Sequence, residues 1–83
     1  MPKKPVTGED LRARLASNLF ALRRAAKLTQ QQAADAADLD LRHYVKIEHG
    51  ENNVTLKTIV KLANAFGVST AALLAPPPRH RRP

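Results

Sequence analysis

Between Leu41 and His49 (LRHYVKIEH) the residue types segregate at helical spacing. At about 100° per residue, Tyr44, Ile47 and Glu48 share one side of a helix. Arg42, Lys46 and His49 fall opposite, with His43 and Val45 on the shoulders and Leu41 at the N-terminal end. A guanidinium carries two parallel donors that match the acceptor edge of guanine, and a lysine offers a less selective cation. Val45 or Leu41 suits the methyl group of thymine. Leu41, Arg42, His43, Val45 and Lys46 are therefore the candidate base-reading residues of a nucleic-acid interface. Next to them, Thr29 caps a preceding helix and Gln30 opens it, so the Gln30 carboxamide and neighbouring backbone amides suit a phosphate. His49 joins that phosphate-facing set.

Other chemistry finds little support. The chain has no cysteine, which excludes disulfides and thiolate metal sites and fits a reducing cytoplasm. His43, His49 and His80 have no carboxylate or cysteine partners at ligand spacing. Ser17 and Ser69 lie in no nucleophile motif, and Asp35, Asp38 and Asp40 lack the calcium-loop pattern. No catalytic residue, metal or cofactor is expected, and the chain reads as a non-enzyme. The apolar runs are too short for a membrane span. The formal charge of +7 suggests a polyanionic partner. However, residues 11–75 hold nine Lys/Arg against five Asp/Glu, leaving +4, while Arg79, Arg81 and Arg82 supply +3. Location is stronger evidence than the total.

The elements that must hold these residues are all helical. Residues 1–10 read as a basic arm and helix entry, with Thr7 and Asp10 forming a capping box. Leu11, Leu15, Leu19, Leu22 and Ala26 then mark one face of a helix of about four turns. An apolar residue, a capping residue and a second apolar residue recur four times: Leu28-Thr29…Ala33, Leu39-Asp40…Tyr44, Val54-Thr55…Ile59 and Val68-Ser69…Leu73. This is the signature of a helix start. It predicts helices over 30–37, 41–48, 56–66 and 70–74. Gly50 and Gly67 fall where a left-handed residue ends a helix. The fold class is thus all-α, a five-helix bundle with a central helix-turn-helix over residues 11–75. Residues 76–83 (PPPRHRRP) read as a Pro/Arg-rich tail. Phe20, Tyr44 and Phe66 all fall at core phases, which leaves no interleaved aromatics for stacking RNA bases.

The segment from Leu19 to Leu74 resembles the phage-repressor (Cro/Xre) type of helix-turn-helix domain. The matching residues are Leu22-Arg23, Leu28-Thr29-Gln30, Ala34, Ile47-Glu48-x-Gly50, Leu56, Leu62-Ala63, Phe66-Gly67-Val68 and Leu73-Leu74. The resemblance implies a lambda-repressor-like bundle that binds operator DNA as a symmetric dimer. It places Gln30 at a phosphate contact, and Leu41, Arg42 and Lys46 at base-reading positions. It also puts Asn52 and Asn53 in a phosphate-touching loop, and makes Arg23 and Glu48 a structural ion pair. Three departures stand out: Asp38 where the turn usually has glycine, Val45 where a small polar residue is common, and only Ala33, Ala34 and Ala37 facing inward from helix two.

The expected function is a sequence-specific regulator that binds a palindromic operator in double-stranded DNA as a homodimer. Val60, Ala71, Ala72 and Leu74 are the expected dimer surface. Controller proteins and phage repressors are equally compatible with a chain of this size. The alternative is an antitoxin-type module that neutralises a partner toxin and regulates its own synthesis.

Overall fold

A computed structural model describes residues 5–77 and shows five helices. They are α1 (Gly8–Ala25), α2 (Gln30–Ala36), α3 (Leu41–Glu48), α4 (Leu56–Phe66) and α5 (Thr70–Leu74). No strand occurs among the described residues. Each helix starts on a side-chain oxygen that accepts the backbone N–H three residues on. The caps are Thr7, Thr29, Asp40, Thr55 and Ser69. Thr7–Asp10 and Thr29–Gln32 form reciprocal capping boxes. Such a cap contributes about 1 kcal/mol, which matters most for α2 and α5, at seven and five residues. Helices this short do not persist alone, so the caps and tertiary packing must define them together.

The core joins Leu15 and Leu19 of α1, Tyr44 and Ile47 of α3, Ile59 and Leu62 of α4, and Leu73 of α5. α1 packs on α3 and α5, α2 on α3, and α4 on α5. Asn18 fastens α1 to the end of α5, its Nδ2 donating to the carbonyls of Leu73 at 2.7 Å and Ala75 at 2.9 Å. α2 buries only Ala33, Ala34 and, at its cap, Ala37. α2 therefore offers the core only methyl side chains where it packs on α3.

Two expectations fail at α1. Phe20 is 46% exposed, and its ring lies under the guanidinium groups of Arg23 at 5.6 Å and Arg24 at 5.4 Å. Leu19 and Leu22 already fill the inward arc, and the ring is held outside by cation–π contact. Ala26, predicted inward, is the exposed C-cap. The helix stops there because Lys27 enters the left-handed region at φ 59°. Its neighbour Leu28 then donates its N–H back to the Arg23 carbonyl at 3.1 Å, closing the turn. Helix two ends one residue early, with Ala37 as its cap.

Candidate nucleic-acid interface

The α2–α3 turn is set by one backbone choice. Asp38 takes φ 56°, and Leu39 donates its N–H to the Ala34 carbonyl at 2.9 Å. A left-handed aspartate is mildly strained. Lys61 of α4 offsets this: its Nζ lies 3.3 Å from the Asp38 carbonyl oxygen and 3.6 Å from its carboxylate. Asp40 then starts α3, accepting the His43 N–H at 2.8 Å. The turn therefore aims α3 with both ends of its four-residue path hydrogen-bonded.

The inward side of α3 centres on one carboxylate. Glu48 Oε2 accepts from Arg23 Nε at 2.9 Å and from the Tyr44 hydroxyl at 2.8 Å. Its Oε1 accepts from Arg23 Nη2 at 2.9 Å and from Gln30 Nε2 at 3.2 Å. Arg23 Nη1 completes the set by donating to the Leu28 carbonyl at 2.9 Å. Burial alone would push the Glu48 carboxyl upward. The hydrogen bonds from Arg23, Tyr44 and Gln30, with the Arg23 charge, outweigh it and hold the group below the ordinary carboxylate range. Burial, and then the bond to Glu48, drive the Tyr44 phenol well above its usual value. The Glu48 bond raises Arg23. No buried side-chain polar atom among the described residues lacks a partner. Three helices thus converge on one carboxylate whose charged form is favoured and whose oxygens each accept two hydrogen bonds.

The outward side holds no such network. Arg42 and Lys46 are exposed, and Leu41 is 39% exposed at the start of the helix. His43 and Val45 are half-buried on the shoulders. His49 is exposed at the C-cap, its Nδ1 3.6 Å from a Glu51 carboxylate oxygen. Thr29 lies exposed at the start of α2, and Gln30 is half-buried beside it. The α3–α4 loop carries Asn52, half-buried, and Asn53, exposed. Lys3-Lys4 and the tail arginines lie outside the described residues.

The helix-turn-helix family model matches residues 19–73. The chain belongs to the Cro/Xre-type helix-turn-helix family, whose members are DNA-binding transcriptional regulators. Control protein C.SmaI of Serratia marcescens is 34% identical over 74 residues, 89% of this chain and 88% of that protein. A hypothetical transcription factor from Neisseria superposes with a TM-score of 0.79 at 34% identity, over 93% of this chain and 88% of the other. The restriction-modification controller protein C.AhdI from Aeromonas hydrophila follows at 0.71 and 32%, over 75% of this chain and 94% of that one. The superposition on these regulators agrees with the helical bundle observed.

Within this family frame, the structure brings together Thr29, Gln30 and the α3 residues on adjoining elements. Asn53 stands apart on the loop beyond α3. Two hydrogen bonds escaped sequence reasoning. The first is the Gln30–Glu48 bond, which spans two helices and leaves no spacing signal. The second is a bond from Arg12 Nη1 to Asn53 Oδ1, across 41 positions. On α4 and α5, Val60 is 48% exposed, Ala71 and Ala72 are exposed, and Leu74 is half-buried. Leu56, 82% exposed one turn before Val60, was missed as part of that surface. It carries the cap-plus-one position, so its sequence signal was absorbed by the helix start. Among the described residues no helix is long and apolar enough to cross a membrane, and no three His, Cys, Asp or Glu cluster to hold a metal.

Proposed function

We propose that the chain is a sequence-specific regulator that lays α3 in the major groove of a palindromic operator and binds it as a homodimer. One observation carries this reading. Arg42 and Lys46 are exposed on a helix whose opposite side is fixed by four hydrogen bonds to Glu48. Leu41, Arg42, His43, Val45 and Lys46 face base edges, with Arg42 the best match to a guanine. Thr29, Gln30, His49, Asn52 and Asn53 meet the backbone and set the register.

Leu56 and Val60, an i, i+4 pair on α4, form an exposed apolar strip. With Ala71, Ala72 and Leu74 it supplies a self-complementary surface for a two-fold partner. A dimer doubles the bases read, placing two α3 helices about one helical turn of DNA apart. Similarity to a control protein and to a restriction-modification controller favours that class of regulator over the phage repressors. Selection of sites from random duplex DNA tests the reading. A palindrome with half-sites one turn apart is expected. Enrichment of no sequence, with binding only to bulk DNA, would overturn it. Sedimentation as a monomer at micromolar concentration would remove the dimer.

A further inference from the structure

We propose that Arg12, on the first turns of α1, is a further contact to the DNA backbone and grips a phosphate together with Asn53. This rests on the duplex-binding reading above and adds a residue from outside the helix-turn-helix.

The argument begins with donors and acceptors. A guanidinium has no acceptor, so the Asn53 amide must turn its oxygen toward Arg12, and Oδ1 accepts from Nη1. The Asn53 end that remains is its Nδ2, a pure donor. The Arg12 guanidinium contributes further N–H groups, and no ion pair among the described residues includes it. Apart from the second lone pair of Oδ1, the pair presents donors and one positive charge. A phosphodiester oxygen is the complement of that arrangement.

Position supports the same partner. Asn53 belongs to the loop that directly follows α3. Gly50, at φ 73°, packs that loop onto α1: a Cβ there would lie 3.8 Å from both the Arg12 carbonyl oxygen and the Ala16 Cβ. Arg12, the loop and the C-terminal end of α3 thus meet at one corner of the fold. The groove beside it runs on to Leu56 and Leu74, the surface assigned to self-association. The phosphate gripped here lies toward the two-fold axis of the operator, distinct from any phosphate met at Gln30.

The bland role for Arg12 is a staple that merely tethers the loop, and charge separates the two. Affinity of the full chain for its selected duplex would be measured across a series of salt concentrations, for the wild type and for Arg12→Gln, Arg14→Gln and Asn53→Asp. Circular dichroism would check folding. Loss of one phosphate contact lowers the magnitude of the log-affinity against log-salt slope by about 0.9. Arg12→Gln should show that drop with the preferred bases unchanged. Arg14→Gln, two residues along α1, should not. Asn53→Asp strengthens a staple but neutralises the guanidinium, so it should weaken binding and flatten the slope as Arg12→Gln does. It also serves if Arg12→Gln fails to fold. Wild-type slopes in Arg12→Gln, or wild-type binding by Asn53→Asp, would reduce Arg12 to a staple. Failure of the wild type to bind any duplex would overturn the DNA reading itself, and this contact with it.

Discussion

The two sides of α3 share eight residues and one backbone, yet they are built on opposite principles. Tyr44, Ile47 and Glu48 are enclosed, and the one charge among them is met by four hydrogen bonds from three other side chains. Arg42 and Lys46 stand in solvent with no partner required by the fold. The buried side has one geometry and tolerates little change. The exposed side has interchangeable chemistry on a fixed platform. That division lets a regulator alter what it reads without disturbing how it folds, because sites without shared partners act independently.

The largest loss is expected on the buried side. Arg23→Met strands the Glu48 charge and should cost about 3–5 kcal/mol in urea unfolding, enough to threaten so small a domain. Adding Glu48→Met should recover part of that loss: the stranded charge goes, but the buried Tyr44 hydroxyl loses its acceptor and keeps a cost of about 1–3 kcal/mol. A double variant no more stable than the single would show that the pair itself, rather than a stranded charge, matters.

Acid probes the same carboxylate without mutation. Glu48 is held below its unfolded value, so its stabilisation is fully present above the unfolded value, about 4.3. It is lost as pH falls from there through the lower folded value. Unfolding free energy should therefore decline on that acid limb. The decline should be shallower in the double methionine variant. Equal slopes would assign acid sensitivity to other carboxylates.

On the exposed side, Arg42→Ala should leave stability within about 0.5 kcal/mol. It should cost about 1–3 kcal/mol on the preferred duplex by relaxing choice at one base pair. A uniform loss on every sequence would make Arg42 a phosphate contact instead. A loss of stability would blur the two sides of the helix into one.

The smallest effect concerns neither side of α3 but the turn that leads to its platform. Lys27 holds φ 59° with no glycine to ease it. Lys27→Gly should raise stability by about 0.5–1 kcal/mol, read from the thermal midpoint, with DNA affinity unchanged. Destabilisation would mean that the lysine side chain makes a contact worth more than the backbone strain.

Local rules made much of this architecture legible. Every helix start was signalled by a capping oxygen followed by an apolar residue, because a cap interacts only with amides three positions away. The phases of Tyr44, Ile47 and Glu48 followed from a period of 3.6. Lys27 escaped because lysine carries no local preference for the left-handed region; the geometry is imposed by closing α1 against α2. Phe20 escaped because periodicity marks apolar residues without knowing that the inward arc is already full. Its position is decided by Leu19, Leu22 and two flanking arginines. Asp38 was readable as a left-handed turn residue, but the Lys61 bonds that steady it come from α4.

By itself the sequence determined which segments become helices, where they begin, and which side of α3 turns inward, because those depend on neighbours three or four residues apart. The Arg23–Glu48 pair was already implied by the family resemblance; the tertiary structure alone decided that Tyr44 and Gln30 join it, that Arg12 meets Asn53, and that Leu56 is left uncovered. Those outcomes depend on which helices come together in space. Hydrogen bonds between residues 18, 25 and 41 positions apart leave no periodic trace in the chain.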